Sequence, residues 1–202
     1  MSKNPMKPAL WTERSVDETI AVYRDWAASY DADVTARGYH TPVRIAKALK
    51  EHYSGGTVLD FGCGTGISGL ALRAEGIEPL HGTDITEEMV ELAKPKNIYE
   101  KLWVGEPGAS PAAPGSYAAI VATGVISLGA APPETLGLLV NALEPGGLIA
   151  LSFNDPTIEN GRFDAELNGH LNNGDLALLS RAHGPHLDDM DMGSDVIILR
   201  RQ

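Results

Sequence analysis

The nine residues from Val58 to Gly66, Val-Leu-Asp-Phe-Gly-Cys-Gly-Thr-Gly, carry the strongest chemical signal in the chain. A short apolar run ends in Asp60, and Gly62, Gly64 and Gly66 then alternate before a helix-compatible segment. The apolar residues predict a buried strand, and the glycines let the backbone turn sharply and lie against a ligand with no Cβ in the way. A dinucleotide-binding turn needs its third glycine three residues after the second; position 67 is Ile, so that fingerprint fails. An acid two places before the first glycine suits a ligand that presents cationic groups rather than a pyrophosphate. A second acid, Asp84, closes the strand-like run that begins at Pro79. A carboxylate there can accept hydrogen bonds from both hydroxyls of a ribose, which by itself says only that the ligand is a nucleoside.

The elements that must position these residues alternate helix and strand signals, which predicts a parallel sheet covered on both faces. Residues 1–14, with Pro5, Pro8 and several charges, are expected to form a loose arm. Ser15 and Glu18 form a capping box for a first helix carrying Ile20, Tyr23, Trp26, Ala27 and Tyr30 at helical spacing. Thr41 and Pro42 open a second helix, with Val43, Ile45, Ala46 and Leu49 on its apolar side, before Gly55-Gly56. After the glycine turn come a helix over Ile67–Ala74 and the second strand. Thr86 is expected to cap the helix that follows, which runs through Met89 and Leu92. Third, fourth and fifth strands are expected at 100–105, 118–123 and 148–153, with a helix opened by Pro132-Pro133 before the fifth. A polar helix near 161–172 precedes strands at 176–180 and 195–199. No internal repeat is present and no linker divides domains, so 15–202 reads as one domain: N-terminal helices over 15–54 and a core over 55–202.

Composition narrows the classes. The 202 residues are 43% hydrophobic and 21% charged, ordinary for a globular domain with one core. Sixteen Lys and Arg against 27 Asp and Glu leave a formal charge of −11, so a wide nucleic-acid footprint is not expected. The single cysteine, Cys63, excludes an intrachain disulfide and a Cys-based zinc cluster, and no metal site is expected. Asp188, Asp189 and Asp191 read as a solvated loop. Without a membrane-length apolar run or a signal-peptide core, the expected location is the cytoplasm, with no membrane partner.

The stretch 58–66 resembles motif I of the class I S-adenosylmethionine-dependent methyltransferases, and Asp84 adds the strand-two acid of that family. Glu144-Pro145-Gly146-Gly147 before strand five is similar to the family as well. The pattern from Tyr23 to Asp31, with Gly38-Tyr39 and Pro42, resembles a narrower group of small bacterial enzymes and the Williams–Beuren-region methyltransferase-like proteins. The resemblance implies a three-layer α/β Rossmann-like sandwich: a seven-stranded, mostly parallel sheet whose last strand inserts antiparallel beside the fifth. Its cofactor would be S-adenosyl-L-methionine, with S-adenosyl-L-homocysteine as product. Asp60 would engage the cofactor's amino group, and Gly62, Cys63, Gly64 and Gly66 would lie beneath its methionyl and ribose part. Asp84 would hold the ribose hydroxyls, Ile85 and Met89 the adenine, and Gly105 and Glu106 the adenine edge. Thr123 would border the methyl, and Tyr30 would belong to a lid formed by 15–54. Packing is the competing reading for Met89, Trp26 and Tyr30, and an ordinary surface acid for Glu106. Cys63 has no basic neighbour in the turn, so no reactive thiolate is expected.

Methyl transfer needs a general base only when the acceptor arrives protonated. Of the six histidines, His52, His81 and His170 read as structural or exposed and His40 as a weak candidate. If strand six runs parallel, His183 and His186 reach the acceptor side, where either could act as base or orient the acceptor; a surface turn is the competing reading. The Ala131-Pro132-Pro133-Glu134 run falls beyond the place of the Pro-Pro signature of amino-methylating enzymes, so methylation of an exocyclic base amine is disfavoured. The sequence therefore predicts a methyltransferase acting on O, N or S of a small molecule, as monomer or homodimer. A protein or peptide methyltransferase and a non-catalytic cofactor-binding module are the alternatives.

Overall fold

A computed structural model describes residues 8–202. Seven strands form one sheet in the order β3-β2-β1-β4-β5-β7-β6. They are β1 (Val58–Phe61), β2 (Leu80–Asp84), β3 (Lys101–Val104), β4 (Tyr117–Ala122), β5 (Leu143–Asn154), β6 (Leu176–Leu187) and β7 (Met192–Arg201). The first five are parallel, and β7 inserts antiparallel between β5 and β6. This is the seven-stranded sandwich that the resemblance implied. Both β5 and β6 run opposite to β7, so β6 points the same way as β5 and ends at the ligand edge of the sheet.

Alternation along the strands builds two apolar layers. Ile120, Ile149, Leu151, Phe153, Ile197 and Leu199 face the layer covered by α6 (Thr135–Ala142) and α8 (Arg162–Asn173). Their neighbours Ala119, Val121, Leu148, Ala150, Val196 and Ile198 face α3 (Thr41–Lys50) and α4 (Ile67–Ala74). Strands buried on both faces hold the carboxyl ends of β1, β2 and β4 at fixed heights.

The expected first helix is two. Ser15 and Glu18 make the capping box and α1 runs Val16–Trp26, but a tight turn at Ala27–Ser29 breaks it before α2 (Tyr30–Ala36). Asp33 fixes the break, accepting from the Trp26 indole and the Ser29 hydroxyl, each at 2.8 Å. Thr86 stands at the N-cap of α5 (Glu87–Ala93), yet its side chain makes no capping bond. Strand six extends to Leu187, past the expected end at 180; Pro185 is tolerated because β6 is an edge strand. A short α7 (Asp155–Asn160), not foreseen, follows β5. Of the expected N-terminal arm, residues 1–7 lie outside the described residues. From Leu10 on the segment is docked: Leu10 is buried against Trp26 and Val34, and Arg14 Nε donates to Gly129 O at 3.0 Å. Among the described residues no helix is long and apolar enough to cross a membrane.

Candidate active site

The turn after β1 brings the two acids of the sequence to one loop. Asp60 is completely buried. Its Oδ2 accepts from Ser68 Oγ and Tyr99 Oη, both at 2.6 Å, while Oδ1 has no partner among the described residues. Burial raises the carboxyl to about 6; the Ser68 and Tyr99 hydroxyls pull it down, and the nearby Asp84 charge adds to the rise. The Gly69 amide lowers it least and makes no hydrogen bond of acceptable geometry to Oδ1. A buried carboxylate oxygen without a partner costs about 1–3 kcal/mol, which a cationic or donor group lodged there would recover. Neither Ser68 nor Tyr99 was foreseen. Ser68 lies two residues beyond the glycine turn, a spacing that could have suggested it; nothing marks Tyr99.

Gly62, Gly64 and Gly66 all have positive φ. A side chain at Gly62 would strike Val125, whereas above Gly64 the space is empty, so only Gly64 presents bare backbone to a ligand. Asp84 is tied into the same turn. Its Oδ2 accepts from Gly64 N at 2.9 Å and its Oδ1 from Thr86 N at 2.8 Å. Burial raises its carboxyl, against those two amides. Each oxygen keeps a lone pair free of these bonds. Cys63 is buried and its thiol is pushed up by that burial, so it stays protonated. The Thr123 hydroxyl, just past the end of β4, is a further buried group without a partner among the described residues.

The remaining expected residues spread out. Ile85 is half-buried at the start of the loop after β2, and Met89 is fully buried in α5. Gly105 N donates to Asp84 O at 2.8 Å, which keeps that segment beside the strand-two acid. Glu106 is exposed, one residue further into the loop that follows the edge strand β3.

A small cleft, with a cavity volume of about 60 Å³ and open to solvent, lies between α1–α2 and the ends of β4, β5 and β6. Tyr30 and Thr123 line it, with Tyr23, Tyr39, Asn154 and His186. Burial raises the hydroxyls of all three tyrosines, so they remain protonated. None of the lining side chains bears a formal charge near neutral pH. The two histidines of the β6 end part company. His186 is buried in the cleft wall; His183 lies outside the cleft, 60% exposed, with Nδ1 2.9 Å from Asp195 Oδ1. The β7 residue opposite it in register is that Asp195, which holds the ring to the sheet rather than to the cleft.

The N-terminal helical segment is fastened to the core at two places. Asp31 of α2 accepts from the Thr65 hydroxyl in the glycine turn and from Lys96 Nζ, the latter at 2.6 Å. Tyr39 bridges to Leu187, and His40 Nε2 and Arg37 Nη1 reach Asp188 and Asp189 at 2.8 and 2.5 Å. Of the acids expected as a solvated loop, Asp188 and Asp189 are thus exposed yet engaged, and Asp191 is exposed.

This sheet order, with an acid-and-glycine turn after β1 and an acid ending β2, defines a class I methyltransferase-type α/β domain. The comparisons agree. A methyltransferase-domain family matches residues 37–183, well over half of the chain. Human methyltransferase-like protein 27 is 32% identical over 141 residues, 67% of this chain and 57% of that protein. The ribosomal protein L11 methyltransferase of Burkholderia ambifaria is 30% identical over 152 residues, 68% of this chain and 49% of the relative. A chain from the complex of the Haloferax volcanii Trm112 methyltransferase activator with a methyltransferase superposes with TM-score 0.68. That match has 21% identity and covers 89% of this chain and 97% of the other. The chain belongs to the class I S-adenosylmethionine-dependent methyltransferases. It spans about half the length of the relatives it matches.

Proposed function

We propose that the chain transfers a methyl group from S-adenosyl-L-methionine to an O, N or S nucleophile of a small molecule. The observation that carries the reading is the unpartnered buried Oδ1 of Asp60 beside the bare backbone of Gly64. A carboxylate so placed fits the cofactor's ammonium group. When bound, the cofactor supplies an electrophilic methyl carbon and a sulfur that departs with the electron pair of the broken bond. The protein's part is alignment and exclusion of water. Asp60 would hold the cationic end, and Gly62, Cys63, Gly64 and Gly66 would form the floor. Asp84 would take the ribose hydroxyls on its remaining lone pairs, with Ile85, Met89, Gly105 and Glu106 on the adenine side. Thr123 and Tyr30 would border the reacting end, with Tyr30 contributed by the lid. The uncharged, aromatic-rich cleft supports a small, partly apolar acceptor.

Calorimetric titration with S-adenosylmethionine, S-adenosylhomocysteine and NAD tests the cofactor. We expect micromolar binding of both adenosyl ligands and none of NAD; binding of NAD alone overturns the reading. Acceptor-dependent formation of S-adenosylhomocysteine then separates an enzyme from a non-catalytic binding module. A protein acceptor is the second reading, favoured by the kinship to ribosomal protein L11 methyltransferases.

A further inference from the structure

Three side chains behind His186 decide which of its ring nitrogens carries hydrogen. Thr41 Oγ1 lies 2.7 Å from His186 Nδ1 and 3.0 Å from Ser194 Oγ, and Arg44 Nη1 donates to Ser194 Oγ at 2.9 Å. Thr41 and Ser194 are fully buried. Arg44 is held in place by the carbonyls of Ala182, Pro185 and Ser194, at 2.8, 3.0 and 3.0 Å. A guanidinium only donates, so Ser194 accepts from it and must find another acceptor for its own hydroxyl proton. Thr41 Oγ1 is the acceptor within reach. Thr41, having accepted, sends its proton on to His186 Nδ1. The opposite polarity would leave the Ser194 proton buried without a partner, at about 1–3 kcal/mol.

Nδ1 is therefore an acceptor, and in the neutral ring Nε2 carries the hydrogen. Burial is the main reason the imidazole falls to about 4; Asp155 opposes the fall and Arg44 adds to it. Nε2 makes no hydrogen bond to any described residue. The ring lies edge-on to Tyr39, centroids 5.2 Å apart at 85°, in the wall of the cleft. With Nδ1 occupied by a donated proton, the ring is a hydrogen-bond donor to the cleft and has no free lone pair for a general base to use. The tyrosines stay protonated and the lining itself is uncharged. The charges felt there, among them Asp84 at Tyr23 and Tyr30, Asp60 at Tyr39 and Arg14 at Tyr23, come from outside it. An ionic acceptor would therefore lose water without an ion-pair partner in the lining.

We infer that His186 donates its Nε2–H to the methyl acceptor, and that the cleft selects an uncharged small molecule with a hydrogen-bond-accepting atom at that point. Thr41, Ser194 and Arg44 are positioning residues. The inference rests on the cleft being the acceptor site of the proposed methyltransferase.

The test is nitrogen-15 NMR of the histidine-labelled full chain at pH 7, first without ligand. His186 should show a protonated Nε2 and an unprotonated Nδ1. Thr41→Val should remove that fixed assignment and average the two nitrogen signals, while Thr41→Ser should keep it. A protonated Nδ1 or an imidazolium in the unmodified protein overturns the inference. Benzamide, benzoate and benzylammonium, three probes of one size, are then titrated into the S-adenosylhomocysteine-saturated protein. Benzamide should move the Nε2 signal at a concentration at least tenfold below either ion; silence from benzamide, or an equal response to an ion, overturns the selectivity. The tautomer is read without cofactor, so its failure stays distinct from a failure of the methyltransferase reading, which the calorimetric titration reports.

Discussion

Two buried titratable groups face the ligand edge of this sheet, and they are built in opposite ways. Around His186 the described hydroxyls and the guanidinium form a closed sequence of donors and acceptors. Around Asp60 the hydroxyls of Ser68 and Tyr99 converge on one oxygen and leave the other unpartnered. A satisfied network fixes a ring in one state, whereas a half-satisfied carboxylate has free energy to recover from whatever binds it. On our reading the first arrangement defines what the acceptor must offer, and the second defines what the cofactor must carry.

Breaking the unsatisfied site should have the largest effect. Asp60→Ala should weaken S-adenosylmethionine about 100-fold or more in calorimetry, on the scale of about 3 kcal/mol for a lost charge-assisted contact; affinity within threefold of the parent would sink the assignment. Asp84→Ala should cost about 10–100-fold and also lower the melting temperature, because the same carboxylate ties Gly64 N to Thr86 N.

Proton linkage sharpens the comparison. The folded pKa of Asp60, about 6, lies above its unfolded value. Its contribution to stability is therefore full below about pH 4 and is lost as pH rises through 6. Cofactor affinity should run the other way, falling up to about tenfold per unit below pH 6 as the carboxylate takes a proton. Asp60→Asn should flatten both trends, leaving the ligand-free protein as stable as the parent or more so at pH 8. Thermal melts and titrations from pH 5 to 8 measure the two together, and parallel slopes would rule this account out. The smallest effect belongs to the other histidine. His183→Ala should change cofactor affinity by less than about twofold, since the ring sits on the exposed side of the β6–β7 ladder; a loss of tenfold would return His183 to the site.

The parts legible in the sequence are those set by local pattern. Apolar runs, the glycine alternation and the Pro-Gly-Gly before β5 specify strands and turns within a few residues of themselves, and strand order followed from the family resemblance. Asp60 and Asp84 stand at the strand ends that those patterns marked, whereas the role given to Tyr30 came from the family resemblance. The side chains that determine the state of Asp60 and His186 escaped because their partners arrive from elsewhere in the chain. Tyr99 reaches Asp60 from before β3, and Ser194 meets Thr41 only because β7 inserts between β5 and β6. No periodicity encodes such meetings. The helix break after Trp26 was hidden for a related reason: Asp33, which fixes it, looks like any exposed helical acid until its donors are seen.

Asp31 has a kinetic consequence. One carboxylate joins α2 to both the glycine turn and Lys96, and the Lys96 ion pair is partly open to solvent. Lifting α2 means parting that pair, and dissolved salt screens it. On our reading of 15–54 as a lid over the cofactor, ligand residence time should shorten as ionic strength rises even where equilibrium affinity hardly moves. A stopped-flow displacement series in sodium chloride would then show release and capture accelerating together.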